Sequence, residues 1–301
     1  MTIFSKQLTI AIVLLCSLTL NGQDFKSRFG KLSASKDTLG QIALLKEWEQ
    51  KKPEDAELYV AYYNYYVLKS RKELIGLQTE QQGESSLKLQ DSTGQIVGFM
   101  NGIVNYDDEL VQKGFDYIDK GIKKFPNRLD MRFGKVYILG EIGDYETFTD
   151  EIIKTIEYSD TNKNAWLWTD NKPQPDAQQF MLSTIQSYVF QLYETNEDKA
   201  LDDMRWIAET VLKYYPNHVE SLSNLSIVYL VKKDYDKALE QLLKAEKLAP
   251  KDYIILNNIA QAFKNKGDKK NAIKYFELTE KHGDSEAKAA AKQELKGLKK
   301  K

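Results

Sequence analysis

VESLSNLSIVYLVKKDYDKALEQLLKAEKLAPKD, residues 219–252, lies without gaps over YIILNNIAQAFKNKGDKKNAIKYFELTEKHGDSE, residues 253–286, at a shift of 34 residues. Leu222 falls on Leu256, Leu225 on Ile259, Ser226 on Ala260 and Tyr229 on Phe263. Ala238 falls on Ala272, Leu242 on Phe276 and Ala245 on Thr279. A fixed period of this length marks stacked supersecondary units, each burying a face against the next. Each copy reads as two amphipathic helices joined by a tight turn. Gly267 ends one helix with positive φ, and Asp234 and Asp268 cap the helix that follows. Small Ser226, Ala238 and Ala245 stand where helix backbones must come close, with Tyr229 and Leu242 filling the space beside them.

This order of large, small, aromatic and small residues closing on Pro250 resembles the tetratricopeptide repeat family, in a bacterial secreted or periplasmic form. Asp284 replaces the final Pro in the second copy. The resemblance implies an all-α fold, a right-handed α-solenoid of helix pairs, whose first helices line a concave groove for a peptide or partner helix. At the groove positions stand Ser223, Asn224, Ile227 and Leu230, then Asn257, Asn258, Gln261 and Lys264. Asn224 and Asn258 match asparagines that some members use to hold a peptide, and equally suit hydrogen bonding between helices. Ser223 and Ile227 stand where the basic residues of a carboxylate clamp would be.

Outward from that stretch, Pro53, Pro126, Pro216 and Pro250 each precede a predicted helix, where a missing N–H is harmless. The register from Pro53 puts Tyr59, Tyr62, Tyr63 and Tyr66 at signature positions of one helix. The segment ending at Pro126 puts Gly114, Ile118 and Gly121 at the small-large-small positions of its mate. Degenerate repeats follow at 127–158 and 176–216, within a repeat region of 107–218, and a lone helix at 38–51 begins the stack over 38–68. Residues 69–106 form an insertion in the first repeat, polar enough for a loop, in which alternation around Asp91-Ser92-Thr93-Gly94 predicts a β-hairpin. Ser159–Pro175 reads as an irregular loop, and 287–301 as a charged capping helix with a basic tail.

At the other end, Lys6 followed by LTIAIVLLCSLTL (8–20) has the length of a signal-peptide core, too short for a comfortable membrane span. Residues 1–22 are accordingly expected to be a cleaved signal and 23–37 a linker, giving a secreted, periplasmic or envelope-associated protein. A lipid anchor at Cys16 is disfavoured by Leu15, since that pattern needs a small residue before the Cys. Cys16 is the single cysteine, so cleavage removes thiol catalysis, disulfides and Cys-ligated zinc.

The remaining chemistry points away from catalysis. A net charge of −1 gives no electrostatic footprint for nucleic acid. His218 and His282 lack neighbours at metal-ligand spacing. Asp107-Asp108-Glu109 and Asp202-Asp203 fall near predicted helix starts, where acids cap free N–H groups and favour the helix dipole. There is no Gly-rich phosphate loop and no G-x-S-x-G elbow. No catalytic residue, metal or cofactor is expected. The leading reading is a non-catalytic protein–protein interaction scaffold with a protein or peptide partner. The alternative is a glycan or small-ligand binding protein, using the loop of Trp166 and Trp168 together with the 69–106 insertion.

Overall fold

A computed structural model describes residues 20–81 and 86–300, with side chains from Phe25 onward. Residues 8–19 of the expected signal core, Cys16 among them, lie outside the described residues. The architecture is mostly helical, 72% of the described residues, with a small antiparallel sheet. The chain divides into two compact units, one of residues up to 138 with 167–173, the other of 139–166 with 174–301.

In the first unit three helices come first: α1 (Leu20–Ala34), α2 (Thr38–Lys51) and α3 (Ala56–Ser70). Residues 23–37, expected as a linker, therefore fall largely within α1, and the helix at 38–51 is the second member of a hairpin. Their common core holds Phe25, Phe29, Leu45, Trp48 and Leu58, with Phe25 stacked on Trp48 at 5.4 Å. Asp37 caps α2 through the Gly40 N–H, and Asp55 caps α3 through the Glu57 N–H.

The insertion follows as β1 (Arg71–Gln78), β2 (Leu87–Gln90) and β3 (Ile96–Tyr106), ordered β1-β3-β2. The expected hairpin is β2–β3, with Asp91 accepting from the N–H groups of Thr93 and Gln95 in its turn. The added strand, β1, pairs with the other half of β3 from Arg71↔Tyr106 to Gln78↔Phe99. Because the Asp107 N–H donates to the Ser70 carbonyl at 3.0 Å, the sheet closes at its base and returns the chain to where it left. Helix α4 (Asp108–Lys124) then packs on α3 as if nothing intervened. A Cβ on Gly121 would sit 2.9 Å from the Tyr59 Cβ, and one on Gly114 3.3 Å from Val67. Both glycines thus permit the close approach expected of small residues at those positions.

Helix α5 (Leu129–Ile142) contributes to both units. The 167–173 segment of the first unit is a two-residue pair, β4 (Leu167–Trp168) with β5 (Lys172–Pro173), around a 3₁₀ turn at Thr169–Asn171.

The second unit stacks helix pairs: α6 (Tyr145–Thr161), α7 (Ala177–Glu194), α8 (Asp198–Tyr214), α9 (Val219–Val231), α10 (Tyr235–Leu248), α11 (Tyr253–Lys266), α12 (Lys269–His282) and α13 (Ser285–Lys299). The 34-residue repeat is α9/α10 followed by α11/α12. Ser226, Ala238, Ala245, Ala260 and Ala272 are fully buried, as close helix contact requires. Asp234 and Asp268 cap α10 and α12, and Gly267 takes φ +90°. The first residues of α3, α5, α9 and α11 each come three positions after a proline, Pro53, Pro126, Pro216 and Pro250. At the end of the chain α13 covers the last apolar edge through Ala291 and Leu295.

Candidate binding cleft of the first helices

The groove positions named from sequence lie in the second unit, and four of the eight, Asn224, Leu230, Gln261 and Lys264, are engaged by the protein itself. Asn224 is only 7% exposed. Its amide donates to Gln186 Oε1 at 2.7 Å, and Gln186 donates back to Asn224 Oδ1 at 3.3 Å. Of the two roles open to Asn224, bonding between helices is the one realised, since a buried amide must satisfy both of its ends. Gln261 and Lys264 both reach Glu294 of α13, Lys264 at 2.7 Å. The Lys264 ammonium is the first cause of the lowered Glu294 pKa. Ser223, Ile227 and Leu230 are half-buried, Leu230 packed into the C-terminal core. Asn257 and Asn258 are half-buried, and Asn257 borders a shallow cleft of about 310 Å³ with Tyr253 and Ala290.

Trp166 is 1% exposed and tilted against Tyr158 at 5.7 Å. Its backbone is fixed on both sides, its N–H donating to Asn164 and its carbonyl accepting from Gln174. Trp168 is half-buried in β4. A buried indole offers no stacking face to a sugar, so the pairing of Trp166 with Trp168 as a ligand platform loses its geometry. His218 is half-buried at the start of α9, its Nδ1 2.9 Å from Ser221 Oγ, and burial pushes its pKa down. Asp107 caps α4 as expected. Asp203 instead lies inside α8, 2% exposed, where burial raises its carboxyl pKa. Among the described residues no cluster of three or more His, Cys, Asp or Glu could hold a metal. No described helix is long and apolar enough to cross a membrane.

An open cleft lies instead in the first unit, with a volume of about 540 Å³. One wall is α3, through Glu57, Val60, Ala61, Asn64 and Leu68. These recur at i, i+3, i+4, i+7 and i+11, a single helical stripe. The facing wall is α1, through Phe29, Gly30 and Ser33, and Trp48 of α2 lies between them. Trp48 is fixed by its Nε1–H, which donates to Asp55 at 3.0 Å. At Gly30 a Cβ would meet nothing within 4 Å, so the wall opens there onto free space. Leu68 and Asn64 are exposed along the rim.

One end of the cleft is closed by charge. Lys26 approaches Glu57 at 3.3 Å and Asp170 at 2.6 Å. Glu57 also pairs with Arg128 at 2.8 Å and accepts the Asp170 N–H at 2.9 Å. The Arg128 side chain is fully buried and additionally holds Asp130 at 2.7 Å and Asn171 at 3.1 Å. Burial works against both cations, yet the Asp170 hydrogen bond to Lys26 and the Asp130 hydrogen bond to Arg128, with the Glu57 charge, hold their pKa values above normal. The network anchors the 3₁₀ turn, where Asp170 sits at φ +60°. The cleft therefore offers an apolar floor and walls, one exposed amide and an end whose charges are mutually neutralised. It suits an apolar side chain carried on a polypeptide better than an ion or a sugar. Sequence alone does not reveal it, because α1 reads as linker and the cleft needs α1 as its second wall.

The tetratricopeptide repeat family matches residues 219–252 and 253–278. No curated protein matches the chain. Among solved structures it is similar to YrrB, described as a TPR protein with an unusual peptide-binding site, at 13% identity and TM-score 0.40, covering 83% of this chain and 97% of that one. It is similar to MamA at 17% identity and TM-score 0.37, covering 59% and 85%. For Pseudomonas aeruginosa pilF the values are 16% and 0.37, covering 62% and 78%. These likenesses carry no argument about function.

Proposed function

We propose that this tetratricopeptide-repeat protein, with its repeats at residues 219–278, is a non-catalytic interaction scaffold that holds an apolar segment of a partner protein between α1 and α3. The carrying observation is the 540 Å³ cleft, walled by one stripe of α3 and by the open face of α1 at Gly30. A pocket of this size with apolar walls and a polar rim accepts one or two side chains, and the exposed amide of Asn64 can hold the peptide backbone that carries them.

The proposed compartment is the periplasm or cell envelope, on the strength of the apolar run at residues 8–20 behind Lys6. Cleavage near Gly22 would leave every residue of the cleft, from Lys26 onward, in the mature chain.

The test is site-specific photocrosslinking in the native cell. A photoreactive residue at Asn64 is expected to yield one discrete protein adduct, and the same residue at exposed Asn265 of α11 none. Gly30→Trp fills the cleft and should abolish the adduct while leaving the helical circular dichroism unchanged. Failure of Asn64 to capture a protein, or an adduct indifferent to Gly30→Trp, would refute the assignment.

A further inference from the structure

Among the described residues, the three-stranded sheet of the insertion leaves much of its apolar surface exposed. Ile75 is 75% exposed, Leu77 71% and Leu87 65%, with Ile96 and Val104 also exposed. Ile75, Leu77, Leu87 and Val104 lie on one side, because the β3 partners Gly102 and Met100 of Ile75 and Leu77 share parity with Val104, and Leu87 faces Met100. Ile96 pairs with Gln90 beyond the register shift and lies on the other side with Leu74. Leu74 at 51% and Val97 at 62% add to the exposed apolar surface, and apolar groups gathered in this way on one small sheet mark an interaction surface.

The two edges of the sheet differ. β2 is four residues long, and its register with β3 shifts between Leu89 and Gln90. A short strand with a bulge is a guarded edge. β1 is eight residues long, regular throughout, and exposed over most of its length. The Asp107 N–H bond to the Ser70 carbonyl sets the ladder phase. Even-numbered residues of β1 exchange hydrogen bonds with β3, so Arg71, Glu73, Ile75 and Leu77 direct their N–H and C=O groups to the open side. The side chains of these same four lie on the apolar face.

We infer that the open edge of β1 pairs antiparallel with β1 of a second copy of this chain, with Ile75 at the two-fold axis. An isologous contact needs a self-complementary strand, and β1 is one. Its charges, Arg71, Lys72 and Glu73, are all in its first half, and residues 74–79 carry none. Antiparallel pairing therefore sets charged against uncharged residues everywhere and never opposes like charges. With Ile75 opposite Ile75, Glu73 faces Leu77, Lys72 faces Gln78 and Arg71 faces Thr79. Moving the axis to Leu74 would set Arg71 against Leu77 and Lys72 against Gly76, which gives the long cations no polar neighbour. Arg71 is meanwhile paired with Glu73, and Lys72 with Asp107 at 3.0 Å, so no charge is stranded at the seam. A net charge of −1 sets up no general repulsion between copies. The product is a six-stranded sheet in which the Ile75 and Leu77 side chains of both copies share one face across the axis.

Sedimentation velocity on the purified full chain tests this. A one-strand seam is a small interface, so dimer is expected to grow in across about 1–100 µM. Ile75→Pro removes only an outward-pointing N–H, a loss an edge strand tolerates. It should stay monomeric with unchanged circular dichroism and melting temperature. In a Cys16→Ser background, Ile75→Cys should form a disulfide dimer under mild oxidation, since facing residues of a hydrogen-bonded pair lie about 5.5 Å apart. Leu77→Cys should not, because its own copy lies four residues along the partner strand, about 13 Å away. A chain monomeric throughout that range, a dimer indifferent to Ile75→Pro, or equal cross-linking from Leu77→Cys would overturn the pairing.

Discussion

The helix pair α3/α4 of the first unit and the pair α9/α10 of the second solve the same packing problem with different residues and opposite consequences for binding. In α10 the small positions are Ala238 and Ala245, and in α4 they are Gly114 and Gly121. The alanines keep helix propensity while allowing close approach. The glycines give that up to admit the bulk of Tyr59, Tyr63 and Val67. Around α9 and α11 several inner positions are spent on the protein's own contacts, Asn224 with Gln186 and Lys264 with Glu294. Around α1 and α3 the corresponding space stays open. A clear repeat signal thus reports how helices pack, and the region with the weaker signal keeps the free surface.

The largest expected effect is at Arg128, which has no counterpart in the regular repeats. Arg128→Met removes a fully buried cation, leaving nearly buried Asp130 without its cation and Glu57 with Lys26 alone. Breaking such a network by one member costs about 3–5 kcal/mol. Urea denaturation should register that loss, together with release of the 167–173 segment to limited proteolysis.

A reciprocal exchange at the small positions sharpens the comparison at intermediate size. Gly121→Ala drives a methyl to 2.9 Å from the Tyr59 Cβ, an atom its own backbone holds in place. It should cost about 1–3 kcal/mol of stability despite alanine's better helix propensity. Ala245→Gly, at a fully buried position, should cost about 1–2 kcal/mol through lost propensity and a lost methyl. If alanine were accepted at 121 as readily as at 245, the two pairs would be packed alike, and the comparison would fail.

The smallest effect is expected at Asp203, and it has the opposite sign. Burial raises its carboxyl pKa, against the lowering influence of Lys199 and the Thr149 hydroxyl, while Asp202 and Glu146 add to the rise. An acid whose folded pKa exceeds its unfolded value costs stability whenever it is ionised in the folded state. That cost is present at neutral pH and fades as pH falls through the folded pKa. Asp203→Asn should therefore raise the melting temperature at pH 7, with the gain shrinking on acidification toward about pH 4. Thermal melts of both proteins across that range would show the two curves converge.

Legibility followed the range of the interactions. Asp234, Asp268, Gly267 and Asp107 were readable because a cap bonds to a backbone two or three residues away. The β2–β3 turn at Asp91–Gly94 was readable for the same reason. β1 was not, because its partner residues in β3 lie up to 35 positions along the chain. α1 was hidden by its polar composition and by its place next to the apolar run. Only Phe25 and Phe29 of its described residues are buried, a stripe too sparse to stand out from a linker.

The sequence by itself determined the helix pairs, their 34-residue period and the demand for small residues at Gly114, Gly121, Ala238 and Ala245. These follow from local hydrogen bonding and from sterics that recur at every repeat. Only the tertiary structure decided which inner positions are free. Asn224 is taken by Gln186, 38 residues away, and Glu57 by Arg128, 71 away. Whether a polar side chain faces a ligand or a neighbouring helix depends on which distant groups arrive beside it, and a buried polar group binds whatever partner packing brings within reach.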